Sequence, residues 1–439
     1  MTGVLAYILG VLIFLFGIGL SIGLHEVGHM WPAKAFGARV SKYMIGFGPT
    51  VFSRKIGETE YGFKLLPLGG YVAISGMYPP ERAGAKQRGP KWLRELIHAA
   101  RAGQNESDGE YDHSRAFYRL SVPKRIVVML GGPFMNLFLG VVFISIAILG
   151  IPAWHTGTTV ERVFACIETK ADGSCPAGAT TSPASQMGLQ KGDQIVKVNG
   201  QSISSWLPVN QYLINHPSQT IHLQVLRGGK VLNLSGRPVP KREPAYNLYT
   251  GSPEQNADGS AKYHLRGMLG FQLNQVKRVG SVEYTAGYAG AMISATADMV
   301  LQLPNEMVRL VESTFGSAKR DSSGLVSIVG VGSFAGSVGQ STQMDAAGKI
   351  AAWLMILGSL NFALFVFNLI PLLPLDGGHV LNALADGARR GLYRLFGKAD
   401  PGPLDTAKTM PFTMVMWFVL MGMGILSILA DFIKPIAFG

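Results

Sequence analysis

His25-Glu26-Val27-Gly28-His29 is the run of residues in this sequence best suited to chemistry. On a helix, two histidines four residues apart project from one face, and the glutamate stands beside them. Two imidazole nitrogens in that arrangement can hold Zn2+, while the carboxylate can take a proton from water and pass it to a leaving amine. With only nine histidines in 439 residues, chance seldom produces the pattern. The run also follows directly on Val4 to Leu24, a stretch without a charged side chain. Imidazole and carboxyl groups at the end of a membrane helix cost roughly 2–4 kcal/mol each unless they have partners, so they point to a functional site rather than a mere membrane boundary.

A catalytic zinc needs a third protein ligand and keeps one position open. Asp376 is the best candidate, in Phe367-Asn368-Leu369-Ile370-Pro371-Leu372-Leu373-Pro374-Leu375-Asp376-Gly377-Gly378-His379. Two prolines three residues apart break a helix there, and Gly377-Gly378 allow the backbone to turn close to a metal. His379 lies past that turn and is the lesser candidate. Cys166 and Cys175 stand too far from the histidines to share the site; they form either a disulfide or two reduced thiols in a loop.

The elements that must position these residues are membrane helices. A chain that is 48% hydrophobic and only 15% charged is a multi-pass membrane protein rather than a set of soluble domains. Four charge-free stretches, Val4 to Leu24, Ile126 to Ile151, Ala351 to Leu375 and Pro411 to Ala430, are each long enough to cross the hydrocarbon core. The first lacks the basic start and small-residue cleavage site of a secretory signal and is read as a retained transmembrane helix, with a cleaved signal as the alternative.

A net charge of +12 invites a nucleic-acid partner, but the basic residues first report topology. Trp31 to Arg125 carries sixteen Lys/Arg against eight Asp/Glu, and Gly377 to Met410 carries five more Lys/Arg. Both segments are placed in the cytoplasm, which puts both termini and residues 152–350 outside and the His-Glu run and Asp376 toward the same, cytoplasmic, face. No nucleic-acid partner is expected.

Four membrane segments at 1–36, 126–151, 351–378 and 411–433 thus frame the chain. Residues 37–78 alternate and are rich in glycine, which predicts strands and turns in a membrane-associated sheet. Residues 79–125 read as a cytoplasmic loop with a short helix near Trp92 to Arg101, and 379–410 as a second cytoplasmic loop. Outside, the string from Ala184 to Gly200 follows A-x-x-x-G-L-x-x-G-D-x-I-x-x-V-N-G, with a tight turn at Asn199-Gly200. Together with a helix-like stretch from Trp206 to Asn215 and a strand from Ile221 to Leu226, it resembles a PDZ domain over 155–240. Such a domain binds extended chain ends by strand addition, or serves as a spacer limiting access. Residues 241–350 read as a linker and an amphipathic region, Val282 to Phe315, that lies on the membrane or packs on the PDZ-like domain.

H-E-x-x-H in a first membrane helix, paired with N-x-x-P-x-x-P-x-D-G-G in a later one, resembles the site-2 protease family of intramembrane metalloproteases. Gly46-Phe47-Gly48-Pro49, Pro67-Leu68-Gly69-Gly70-Tyr71-Val72 and Gly132-Pro133-Phe134-Met135-Asn136 agree with it. The chain is similar to the bacterial sigma-regulator proteases of the RseP type, here with one PDZ-like domain as in actinobacterial members instead of two. The resemblance implies a multi-pass α-helical membrane protein with four transmembrane helices, a membrane-associated β-sheet and one extracytoplasmic PDZ-like α+β domain, in the bacterial cytoplasmic membrane. It implies His25, His29 and Asp376 as zinc ligands, Glu26 as general acid/base, and Asn136 and Asn368 as groups near the substrate backbone. The expected substrate is a single-pass membrane protein in the bilayer, such as an anti-sigma factor already shortened outside. One departure is Gly324 to Gly330, where many members carry a Ser-Gly-Pro run and this chain has no proline.

A helix in lipid hides its backbone, so a substrate must unwind before it is cut. Strand addition along Gly62 to Ile74 would satisfy the freed amides, which makes Gly69, Gly70 and Tyr71 candidate substrate-binding residues. Two other classes are weighed against this one: a catalytically silent membrane scaffold, which has no need of Glu26, and a metal transporter, for which no inverted repeat is visible.

Overall fold

The computed structural model describes residues 3–81, 90–108, 113–168, 170, 174–256, 260–316 and 325–435. Gly324, which opens the run without a proline, lies outside them, as do parts of the expected cytoplasmic loop (82–89 and 109–112), of the PDZ-like region (169 and 171–173) and of the linker (257–259).

In chain order the elements are α1 (Gly3–Ala35), β1 (Val40–Ile56), β2 (Thr59–Ile74), α2 (Lys91–Asp108) and α3 (Val122–Ser145). There follow β3 (Ala153–Val163), α4 (Pro183–Gln186), β4 (Gln194–Val198), β5 (Gln201–Ser202), α5 (Leu207–Asn215), β6 (Ile221–Arg227), β7 (Lys230–Gly236), β8 (Val239–Pro244), β9 (Tyr263–Met268) and β10 (Phe271–Arg278). Helices α6 (Val282–Leu301), α7 (Leu303–Phe315), α8 (Ile328–Gln340), α9 (Ala346–Asn368), α10 (Asp376–Leu395) and α11 (Met410–Ile433) complete the chain. These divide into two compact units, residues 1–147 with 292–439, and residues 148–291.

Among the described residues, four helical segments are long and apolar enough to cross a membrane: Gly3–Ala35, Val122–Gly150, Ala346–Asn368 and Thr406–Ile433. Between membrane helices there is little hydrophobic driving force, so close packing of small residues takes its place. That is how α1 meets its neighbours. A Cβ on Gly28 would stand 2.3 Å from the carbonyl oxygen of Gly131 in α3, and one on Gly10 would stand 2.4 Å from that of Ala335 in α8. Some large apolar side chains point outward, Phe16 being 75% exposed, while Phe14 and Ile18 of the same helix are buried with Leu357 of α9. Asn361 of α9, fully buried, donates to the Ser21 hydroxyl of α1 at 2.9 Å.

Two features of this unit differ from expectation. The third apolar stretch, expected to run as a membrane segment to residue 378, stops being helical at Asn368, because Pro371 and Pro374 cannot continue the ladder. A cis Leu373–Pro374 bond lies in the irregular turn that follows. The segment 379–410, expected as a loop, is helical through Leu395; α10 intersperses its leucines with polar and charged residues and so shows no continuous apolar run.

β1 and β2 form the expected sheet, with several bulges. Residues 42–45 pair with 70–73 on one side and with 60–63 on the other, which leaves 70–74 as an edge among the described residues. Tyr43 Oη donates to the Gly23 carbonyl at 2.8 Å, and Lys34 Nζ to Tyr61 Oη at 2.9 Å, tying this sheet to α1.

The second unit is a sheet ordered β10-β3-β4-β6-β7, with β5 paired to β4, and β8 paired to β9 separately. Its core is aliphatic: Val160, Ile195, Ile221, Leu223 and Val225 are nearly inaccessible, and Trp206 packs edge-on to Phe271 at 5.4 Å. The expected tight turn is present, with Asn199 and Gly200 both at positive φ. The sheet reaches farther along the chain than 155–240, because β10 at 271–278 returns beside β3. The linker expected from residue 241 begins inside β8, whose prolines and charges mask a strand. Cys166 and Cys175 form a disulfide.

Candidate metal centre

His25 and His29 sit one turn apart on α1, and Asp376 is the first residue of α10, so an unbroken helix and a turn at the end of another must be brought to one point. Glycines make that possible. A Cβ on Gly132 of α3 would lie 2.2 Å from His29 Nε2 and 2.7 Å from His25 Cε1. A Cβ on Gly377 would lie 2.4 Å from the Ile370 carbonyl, and one on Gly378 2.4 Å from the Leu373 nitrogen. The turn therefore closes on itself as only glycine allows. Arg125 of α3 then anchors α10 through a buried 2.5 Å ion pair with Asp386.

Three atoms converge: His25 Nε2 lies 3.1 Å from His29 Nε2, and the two nitrogens lie 3.4 and 3.3 Å from Asp376 Oδ2. Metal–ligand bonds of about 2.0–2.1 Å in a tetrahedron separate donor atoms by about 3.3–3.4 Å, so this triangle is the size a zinc ion needs. Its electrostatics agree. Asp376 Oδ2 is buried and accepts no hydrogen bond from a described residue, a costly state unless a cation sits against it. His29 Nδ1 lies 2.8 Å from the Val128 carbonyl, which only a protonated Nδ1 satisfies, leaving Nε2 a lone pair for a metal. His25 Nδ1 lies 3.0 Å from the Asn136 side-chain amide. The Asn136 oxygen otherwise has no partner, so turning that amide over satisfies both the oxygen and a protonated His25 Nδ1. Among the described residues, His25, His29 and Asp376 are the group that could hold a metal ion.

The remaining residues singled out by the sequence fall in different places. Glu26 is half-buried within electrostatic reach of both histidines and Asp376, and the Val72 backbone amide faces its carboxyl. Gly70 is so near that a Cβ there would meet Glu26 Cγ at 3.1 Å. Gly69 and Tyr71 flank it on β2. Asn136, expected near a substrate backbone, is turned to His25 and is 1% exposed. Asn368 closes α9, half-buried, and its side chain makes no hydrogen bond to a described residue. His379 is outside the converging triangle. Gly131, Gly132, Val128 and Arg125 were not anticipated as parts of the site. Only the Gly131-Gly132 doublet within an otherwise apolar helix was a signal, since glycine there invites close backbone approach.

A fold of this kind around an H-E-x-x-H helix and a distant aspartate defines a membrane metallopeptidase. The model of peptidase family M50 matches residues 13–398, and the chain belongs to that family, the site-2 proteases. It is similar to zinc metalloprotease Rip1 of Mycolicibacterium smegmatis, 30% identical over 98% of each chain, and to Rip1 of Mycobacterium tuberculosis, 29% identical over 98% of each. Metalloprotease MmpA of Caulobacter vibrioides is 24% identical over 88% of each chain. The protein is thus a zinc metalloendopeptidase, a hydrolase of the bacterial inner membrane whose substrate is embedded in the bilayer.

Proposed function

We propose that this protein cuts single-pass membrane proteins, such as anti-sigma factors, within the membrane after a first cut on their extracytoplasmic side. His25, His29 and Asp376 would hold the zinc, which when bound polarises the scissile carbonyl and makes water a better nucleophile. Glu26 takes a proton from the attacking water and delivers it to the leaving nitrogen. Asn136 and Val128 orient the two imidazoles, so that each offers Nε2. The observation that carries this reading is the triangle of donor atoms with an unpartnered carboxylate oxygen at one corner and Glu26 beside it.

The edge at 70–74 supports strand addition by the substrate. It lies against Glu26 through Gly70, so a chain added there would present its backbone to the carboxylate. Asn368, with no hydrogen-bond partner among the described residues, is a donor for that backbone. Four membrane crossings, both termini outside and a site toward the cytoplasmic face follow from the lysine and arginine distribution. The six-stranded sheet flanked by α5 supports the PDZ-like reading of the second unit, which would bind or screen shortened chain ends.

The test uses purified wild type and Glu26→Gln in detergent, with zinc per chain and cleavage of a membrane-embedded single-pass substrate measured together. Equal zinc with cleavage lowered by about a thousandfold in the variant is expected. Equal cleavage by both would sink the assignment.

A further inference from the structure

Helix α2 has two unlike faces at the start of the last membrane segment. On one face, Leu96, Ala99 and Ala100 meet Met414, Trp417 and Phe418 of α11 across an apolar groove of about 510 Å3. On the other, a polar cavity of about 900 Å3 is lined by Arg94, Arg101, Arg119, Arg389, Arg390 and Lys408, with Glu81, Asp400 and Asp405 as its acids. Six basic side chains against three acidic ones leave an excess of three positive charges, His98 aside.

Part of this charge is already paired. Arg101 binds Asp405 at 2.6 Å and Glu81 at 3.5 Å, and Lys408 binds Asp405 at 3.5 Å. Arg390 reaches Asp400 at 3.8 Å, and Arg389 shares the buried Asp386 and donates to the Gly402 carbonyl at 2.5 Å. Arg94 and Arg119 have no ion pair with a described residue, and the buried Nε of Arg101 and of Arg389 donates to no described residue. Buried donors without acceptors in a cavity of net positive charge call for an anion with several oxygens.

We propose that the cavity receives the phosphate of an anionic phospholipid, one of whose acyl chains lies in the groove between α2 and α11. A free phosphate would use the arginines alone. What favours the lipid is the groove: it begins at Met410, two residues beyond Lys408, and runs along a segment apolar enough to lie in hydrocarbon. Basic pockets beside membrane helices at headgroup level suit such lipids. The proposal is independent of the catalytic assignments.

The test measures lipid retained by the full-length protein, by native mass spectrometry after exchange into detergent and titration with phosphatidylglycerol or phosphatidylcholine. Wild type should prefer phosphatidylglycerol by about tenfold, and Arg94→Gln with Arg119→Gln should bring the two lipids near parity. Both arginines are exposed, so the zinc content of the double variant should be unchanged; Lys408→Gln provides an independent loss of about threefold. Ala100→Trp, which fills the groove, should weaken phosphatidylglycerol binding without altering the effect of inorganic phosphate. No lipid preference in wild type, or a preference that survives the double variant, would overturn the proposal. So would complete competition by inorganic phosphate together with no effect of Ala100→Trp, which would assign the cavity to a free phosphate.

Discussion

The membrane unit exposes many large apolar side chains, whereas the sheet unit gathers its own into one core. In the sheet unit, Ile195, Ile221, Leu223 and Val225 are buried together, as water demands. In the membrane unit, Phe16 and Trp417 face outward while Phe14, Ile18 and Phe362 are buried, and the closest interior contacts belong to glycines and to a few hydrogen-bonded polar groups. Sensitivity to mutation should invert accordingly: one added methyl harms the first, while removal of several methylenes harms the second.

The sharpest way to break this comparison is Gly132→Ala. Its new methyl would stand 2.2 Å from His29 Nε2, within a contact of backbones that cannot move apart without parting α1 from α3. Zinc content and peptidase activity should both fall by at least about tenfold, since displaced ligands and their supports lower metal affinity on that scale. Normal zinc in the alanine variant would mean that the helices are not held as tightly as their glycines indicate.

Leu223→Ala should act on the other unit alone, costing about 3 kcal/mol of its stability through the cavity it opens. Hydrogen exchange of residues in β4 and β6 would report it, with zinc content unchanged. Asp193→Asn should cost about 2 kcal/mol in the same unit. Its buried carboxylate takes 2.6 Å bonds from Arg227 Nε and Nη2 and one from the Gln190 amide, and the amide replacement loses the charge.

The same carboxylate sets a pH dependence. Burial alone would raise the Asp193 carboxyl, but the Arg227 and Gln190 hydrogen bonds outweigh it and hold it below its ordinary value. A folded-state value below the unfolded one means that the stabilisation is complete above the unfolded carboxyl's range, near pH 4, and is lost as pH falls through the folded value. Exchange protection of β4 and β6 should therefore fall below about pH 4 in wild type, and less so in Asp193→Asn. The smallest effect belongs to Phe16→Ala, expected within about 0.5 kcal/mol, because Phe16 fills no interior space. A loss as large as that of Leu223→Ala would show that Phe16 is covered by protein.

Local chemistry was legible early. The four-residue spacing of His25 and His29 follows from helix geometry, and the prolines and glycines around Asp376 marked a broken helix and a close turn. Asn199-Gly200 announced its turn by the backbone angles such a pair tolerates. Less legible were α10 and β8, where charge and proline hide regular structure, and β10, whose partner β3 lies about a hundred residues earlier. Asn136 illustrates the limit in a single residue. Its place in a motif suggested a substrate contact, yet only the packing of α3 on α1 turns it to His25.

What the residues alone determined was the kind of site: two histidines and a glutamate on one helix, an aspartate at a broken helix, and apolar segments long enough for a membrane. Spacing along one element carries that information, because helix and turn geometry are local. Tertiary structure decided the 3.1–3.4 Å triangle, the tautomers set by Val128 and Asn136, and the nearness of Gly70 to Glu26. Those depend on glycine contacts between helices about one hundred and two hundred and fifty residues apart in the chain, where no local pattern reaches.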